Sequence, residues 1–182
     1  MKRLCFFTGL ALPVAAATAT SASAQSVAID QTGTANAATI AQDDPDKKLL
    51  ASMMGDGNDL RVRQTGAAAD LTALSDGAGN VLDAVQAGDP GGANIAIVSQ
   101  SGVANTATVQ QIAASGAANE LTLLQDGNDN SASLSQHGAG NHLDVSQLGD
   151  TNDAAIAQTG YDLGLIINQS GGAAIAVTQT GF

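Results

Sequence analysis

Few side chains in this sequence are of the kinds that bind metals or carry out catalysis. His137 and His142 are its two histidines, and neither has a cysteine or third histidine with which to form a zinc site. Asp-Gly-Asn-Asp occurs at 56–59 and 126–129, but without the closing glutamate of an EF-hand or the glycine frame of a calcium β-roll. Aspartate and serine are spread along a repetitive chain, which offers no pocket to perturb them. We therefore expect surface histidines, turn aspartates, no metal, no cofactor and no enzymatic activity.

Side-chain amides are the chemical groups that recur regularly. From Gln31 to Gln169, eleven glutamines follow one another at intervals of 11 or 22 residues, with two intervals of 14. The unit reads Gln-x-Gly-x-x-Asn-x-φ-x-φ-x, where φ is apolar, and twelve units run from residue 31 to residue 168. An amide carries both donors and an acceptor, so equivalent amides stacked on one another can form hydrogen-bonded ladders. That chemistry needs a fold that holds the units in register.

The two φ columns of the repeat predict which elements provide that register. All 24 φ positions are apolar, whereas the charged residues of these segments lie in the columns between them. Alternation with period two predicts strands with one dry and one wet face. Glycine at the third place of 10 of the 12 units disfavours helix. The Gln-x-Gly-x-x-Asn segments are predicted turns, in which glycine supplies a positive φ and asparagine tolerates one.

Two units, each a turn and a short strand, make one coil of a flattened solenoid. The turns that begin at residues 31, 53, 75, 100, 125 and 147 have equal length, and both longer turns fall in the alternate set. With half units at 27–31 and 175–179, we predict an all-β fold, a β-solenoid of about seven two-stranded coils with 14 strands that stacks into a cross-β fibre. Thin layers of Ala, Leu, Val and Ile, together with inward amide ladders, would replace the usual aromatic core.

Residues 1–24 have the features of a secretory signal peptide. Lys2 and Arg3 precede an apolar stretch at 4–17 that is too short for a good membrane span, and Ala22-Ser23-Ala24 supplies a small-x-small cleavage site. We expect cleavage after Ala24, a repeat domain at 25–182, and no membrane insertion, because no second long apolar segment follows.

The predicted mature chain is strongly acidic. It retains four basic residues against 17 acidic ones, so we expect no nucleic-acid partner, because phosphates need Lys and Arg. Carboxylates crowded along a stack should repel one another, which should raise their pKa values.

Read as strand, turn and strand, the unit resembles the curlin repeat, Ser-x5-Gln-x-Gly-x-x-Asn-x-Ala-x3-Gln. Residues 121–136 and 143–158 are clear instances, and the resemblance extends over nearly all of the mature chain. Some columns depart from it: Lys47, Ala69 and Leu163 stand for Asn, and Met53 and Ser75 for Gln.

The resemblance implies curli, the extracellular amyloid fibres of bacteria that serve adhesion, cell aggregation and biofilm matrix. It implies a homopolymer of this chain or a polymer with paralogous curlin subunits, and it implies an outer-membrane secretion pore and a nucleator as partners. Carried over by position, the stacking residues are Gln31, Asn36, Gln42, Gln100, Asn105, Gln111, Gln125, Asn130, Gln136, Gln147, Asn152 and Gln158.

The alternative is a solitary secreted β-solenoid that binds ice or a carbohydrate surface. Such a module needs a regular outward array, typically of threonine, but the middle outward column mixes Thr39, Arg61, Asp83 and Ile97. A solitary rod also needs capped ends. The half units at both ends favour docking edges instead.

Overall fold

The computed structural model describes residues 16–19, 25–43, 46–66 and 68–181, and these contain fifteen β-strands. The strands are β1 (Ala16–Ala19), β2 (Ser26–Thr32), β3 (Ala37–Gln42), β4 (Lys47–Asp56), β5 (Asp59–Gln64), β6 (Ala68–Ala78), β7 (Val81–Gly88), β8 (Ala93–Val103), β9 (Thr106–Ala113), β10 (Asn119–Asp126), β11 (Ser131–Ala139), β12 (His142–Leu148), β13 (Asp153–Tyr161), β14 (Gly164–Ser170) and β15 (Ala174–Thr180).

The strands form two parallel sheets that alternate along the chain. The odd sheet has the order β1-β3-β5-β7-β9-β11-β13-β15, and the even sheet has the order β14-β12-β10-β8-β6-β4-β2. Consecutive strands from β2 onward therefore belong to opposite sheets, and the chain winds through seven coils from β2–β3 to β14–β15. The predicted all-β solenoid with 14 strands is confirmed, and β1 adds a further strand beside β3.

The register between coils matches the columns of the sequence repeat. Leu134 of β11 pairs with Val109 of β9 on one side and with Ile156 of β13 on the other. The inward columns are buried, with Leu143, Val145 and Ala154 each 0% exposed. Strands form because every second side chain can leave water only when coils are stacked, so the periodic burial drives both the local conformation and the stacking.

Close spacing between coils explains the glycine column. Gly102 has a φ of +111°, and a Cβ placed on it would lie 2.0 Å from the carbonyl oxygen of Gly127 in the next coil. The turn therefore needs glycine both for its conformation and for the absence of a side chain.

The expectation that asparagine takes a positive φ in the turn is wrong. The residue before it does so instead, as in Asp129 at 55° and Thr151 at 60°, and no asparagine among the described residues has a positive φ. The reason is that the asparagine side chain is drawn inside, where Asn130 is 1% and Asn152 is 0% exposed.

The predicted signal peptide lies mostly outside the described residues. Of residues 1–24, only β1 is described, and it runs parallel to β3 with Ala19 opposite Gln42. A search of the described residues for an apolar helix of membrane-spanning length found none.

Replacing Leu134 with Asp should lower the free energy of unfolding by on the order of 4 kcal/mol, because a carboxylate would be buried without a partner. Ser133 is adjacent but exposed, so Ser133→Asp should change that free energy by less than about 0.5 kcal/mol. Denaturant titrations of the two variants side by side measure both values. Equal losses would show that the strand faces are assigned one residue out of register.

Candidate stacking site

Glutamine side chains form a continuous hydrogen-bonded ladder along the odd sheet. In this odd ladder each Nε2 donates to the Oε1 of the glutamine one coil further on, over distances of 2.5–3.0 Å. The chain of donation runs Gln42, Gln64, Gln86, Gln111, Gln136, Gln158 and Gln179. Every member except the terminal Gln179 is buried, so each amide group is largely removed from water and its bonds are formed inside the rod.

The same amides also join the two sheets. Gln136 of β11 donates to the carbonyl oxygen of Glu120 in β10 at 2.9 Å, and Gln158 of β13 donates to that of His142 in β12 at 3.2 Å. One donor hydrogen thus extends the ladder along the axis while the other reaches across the coil. Because a buried amide costs free energy unless its groups are paired, this double use is what makes an inward glutamine column stable.

The even sheet carries a shorter ladder. Gln100 donates to Gln125, Gln125 to Gln147 and Gln147 to Gln169, at 2.9–3.0 Å. Toward the N-terminus, Met53 and Ser75 occupy the next two places of this column, between Gln100 and Gln31.

The gap leaves polar groups without partners. Gln31 Nε2 and Ser75 Oγ are buried and make no hydrogen bond among the described residues. A cavity of about 10 Å³ lies beside Met53, Ser75 and Gln100, since a methionine and a serine do not fill the column as two glutamines would. The three N-terminal coils are therefore joined less tightly at this edge than the four that follow.

Asparagines form a different ladder, which runs mainly between side chain and backbone. Asn105 Nδ2 donates to the carbonyl oxygens of Ser101 in its own turn and Gly127 in the next coil, at 3.0 and 2.8 Å. Its Oδ1 accepts the backbone N–H of Asn130 at 3.1 Å. Asparagine thus closes its own turn and fixes the neighbouring one, although Asn130 Nδ2 has no partner among the described residues.

The twelve residues carried over by resemblance all lie at strand ends beside the turns. Gln42, Gln111, Gln136 and Gln158 lie in the odd ladder. Gln100, Gln125 and Gln147 lie in the even ladder, and Gln31 is separated from them by the gap. The four asparagines in that set follow even strands and are buried. Their role between copies of the chain remains a prediction.

Other residues in these columns were missing from that set although the repeat already contained them. They are Gln64, Gln86, Gln169 and Gln179 in the glutamine columns and Asn58, Asn80, Asn94, Asn119 and Asn141 in the asparagine columns. Lys47 stands in an asparagine column and is 1% exposed. Its Nζ donates to the carbonyl oxygen of Gly66 at 2.6 Å, much as Asn105 donates to Gly127.

Apart from Lys47, the charged side chains of the described residues lie outside these ladders. His142 Nδ1 is 3.5 Å from Glu120 Oε2 on the outer face of the even sheet, and His137 is exposed on the odd sheet. Within the described residues, no three His, Cys, Asp or Glu side chains are grouped to hold a metal ion.

Asp56 departs from the expectation that stacked carboxylates have raised pKa values. The side chain of Thr34, one coil away, donates to Asp56 Oδ1 at 2.7 Å, and the backbone N–H of Thr34 donates to it at 2.8 Å. Both bonds favour the ionised form and hold the pKa of Asp56 below its ordinary value of 3.8. The carboxylate acts here as a link between turns.

These features define the class of the protein: a parallel β-solenoid whose coils are joined by buried side-chain amides. The family model of the curlin associated repeat matches residues 116–149 and 141–171. This match over residues 116–171 confirms the resemblance drawn from residues 121–136 and 143–158. No curated protein and no solved structure matches the chain.

Closing the gap in the even sheet should stabilise the fold. The double variant Met53→Gln with Ser75→Gln would connect Gln31 to Gln100 through two new amides, and we expect the free energy of unfolding to rise by about 1–3 kcal/mol. Gln111→Met, which opens an equivalent gap in the odd ladder, should lower it by a similar amount. Denaturant titration measures the free energy of unfolding of both proteins. A double variant less stable than the wild type would contradict the view that glutamine ladders stabilise the fold.

The Asp56–Thr34 contact should depend on pH in a defined direction. Because the folded pKa is lowered, the contact contributes its full stability above about pH 4, the ordinary range of an aspartate, and loses it as the pH falls through the folded pKa. Thr34→Ala should raise the pKa of Asp56 toward 3.8, whereas Thr34→Ser should keep it low. NMR titration of the Asp56 carboxyl carbon measures both, and identical pKa values in the two variants would rule out the hydroxyl as the cause.

Proposed function

We propose that this chain is a structural subunit of an extracellular, curli-like amyloid fibre that serves surface adhesion and biofilm matrix. Copies would stack end to end and continue both sheets from one chain into the next. The observation that carries the proposal is the incomplete burial of the inward columns in the two end coils. Val27 and Ile29 of β2, Leu165 of β14 and Val177 of β15 pack on the core but are only partly buried.

The two ends carry matching columns. The inward residues of β14 are Leu165, Ile167 and Gln169, and those of β2 are Val27, Ile29 and Gln31 in the same order. β15 presents Ile175, Val177 and Gln179, which correspond to Ala38, Ile40 and Gln42 of β3. A copy added after β14 and β15 would therefore place apolar groups on apolar groups and amides on amides.

Charge favours the same contact. Residues 164–181 contain no charged side chain, and residues 25–42 contain Asp30 alone. Soluble proteins commonly protect open sheet edges with charge. Edges without it can meet another edge with little desolvation of charged groups, as a stacking surface requires.

The odd ladder gives this stacking a direction. Each of its amides donates toward the C-terminal coil, so the ladder ends on Gln179 at one side and begins with Gln42 at the other. Addition of a second copy head to tail lets Gln179 donate to Gln42 and keeps one direction of donation along the fibre. This contact joins different surfaces and therefore propagates without closing.

We further propose that residues 1–24 direct export and are removed before assembly. β1 pairs with β3 at the edge that a preceding copy would otherwise occupy, so cleavage after Ala24 would free that edge. Partners suggested by the family are further copies of this chain, paralogous curlin subunits, an outer-membrane secretion pore and a nucleator. We propose no enzymatic role.

Gly171 provides the test of end-to-end stacking. It has a φ of +71°, and an added Cβ would have no described atom within 4 Å. In a stack Gly171 would lie opposite Gly33 of the next copy, in the column where a Cβ on Gly102 would meet Gly127. Gly171→Ala should slow fibre elongation at least about tenfold through this clash. The fibres that do form should still show a cross-β spacing near 4.8 Å.

Gly79→Ala is the matched control, because Gly79 has a φ of +66°, has equally open surroundings and lies in the middle of the rod. It carries the same backbone strain and should elongate close to the wild-type rate. Equal slowing of both variants would contradict stacking through the last coil. A wild-type protein that stays monomeric would favour the solitary solenoid.

A further inference from the structure

The two outer faces of the solenoid differ in the apolar surface that they expose. Among the described residues, eleven large hydrophobic side chains are exposed, and nine of them belong to strands of the even sheet. The outward positions of β11 in the odd sheet are serines and a histidine, whereas β8 in the even sheet presents Ile95 and Ile97. Stacking along the axis covers neither outer face, so it does not account for the difference.

The exposed residues of the even sheet follow a rule in its two central outward columns. In each of the strands β4, β6, β8 and β10, one of the two positions is large and apolar and the other is small and hydroxylated. The pairs are Leu50 with Ser52, Leu74 with Thr72, Ile97 with Ser99, and Leu124 with Thr122. The large side chains are 46%, 43%, 46% and 37% exposed in that order, and their small neighbours are half-buried.

We propose that this face pairs two stacks side by side, with a second copy of the chain as its partner. The two copies would be related by a two-fold axis parallel to the rod. That operation keeps each strand level with its equivalent but reverses its direction. Leu50 then faces Ser52 of the other copy, and Ile97 faces its Ser99. In the central columns of these four strands every large side chain meets a small one, so two flat sheets can interdigitate there about 10 Å apart.

The remaining strands fit the same operation. In β12, Asp144 faces Ser146, in β14 Ile166 faces Asn168, and in β2 Asp30 faces Ala28. No two carboxylates oppose each other in the central columns. In the two flanking columns Asp70 faces Asp76 of the other copy and Glu120 faces Asp126. These like charges lie at the rim of the pair, where water and salt screen their repulsion.

A second copy suits this face better than an unrelated apolar partner. An unrelated partner would need only apolar area, and it would not require one large and one small residue in each strand. Self-pairing does require that pattern, because each strand meets its own equivalent. The inference rests on the proposed fibre in one respect: end-to-end stacking repeats these rows in every copy, so a weak contact per chain is multiplied along the stack.

The test is to fill one of the gaps. Ser99→Leu makes the face more apolar but places a leucine against Ile97 of the partner. We expect at least about a tenfold fall in the ratio of paired to single stacks, since overpacking of this kind is worth about a factor of ten in an equilibrium constant. Ser133→Leu adds the same side chain to the odd sheet and should leave the ratio unchanged. Mass per length from electron microscopy gives the ratio.

Separate readouts distinguish this inference from the proposed function. Cross-β diffraction and elongation rate report on stacking, while mass per length of fibres, or sedimentation of the soluble protein, reports on pairing. Wild-type fibres that are always single, or a Ser99→Leu protein that pairs more strongly, would overturn the pairing inference and leave stacking intact. Soluble two-fold pairs without fibres would support the pairing inference and overturn the proposed stacking. A wild-type protein that forms neither pairs nor fibres would overturn both proposals.

Discussion

The distance between neighbouring coils, about 4.8 Å in a parallel sheet, is the constraint on which the rest of this structure depends. At that distance every inward side chain lies directly against its equivalents, so a column must consist of groups that can stack on themselves. Alkyl groups do so by packing, and amides do so by donating to the next amide, as Gln111 donates to Gln136. The same distance leaves no room for a Cβ between Gly102 and Gly127. The glycine, glutamine and asparagine columns therefore have a single physical cause.

That constraint also explains how a chain almost without aromatic residues holds a core. The apolar layer between the sheets is thin, so the amide groups at its edges must be buried, and they are stable there only when paired. Gln147 illustrates the solution, since it donates to Gln169 along the axis and to the carbonyl oxygen of Ser131 across the coil. Where Met53 and Ser75 interrupt the column, links of both kinds are lost. Local opening should therefore begin in the N-terminal coils.

The sequence predicts most of this fold because its period and its alternation both report on stacking. Spacing of 11 residues places Leu134 and Ile156 in one column, and alternation then turns Ser133 outward. The roles of individual turn residues could not be predicted in the same way. Glycine, aspartate and asparagine all tolerate a positive φ, so the sequence does not say which of them adopts it. In the structure the Asn130 side chain is buried, and Asp129 has the positive φ. The 22-residue coil does place Thr34 beside Asp56, but only the structure shows that the hydroxyl and the backbone N–H of Thr34 both donate to the carboxylate and so lower its pKa.

The outward columns obey a different logic from the inward ones. Inward residues must match between neighbouring coils, so the inward columns of both sheets carry the same kinds of side chain. The inward columns therefore give the two outer faces no reason to differ. Outward residues are free of that requirement, and a chain selected for stacking alone would have no reason to make its two faces differ. Yet Leu74 and Ile97 are exposed on one face, where the other presents Ser133 and Ser135. We therefore attribute the difference to the proposed pairing perpendicular to the rod, because a contact along the axis covers neither face.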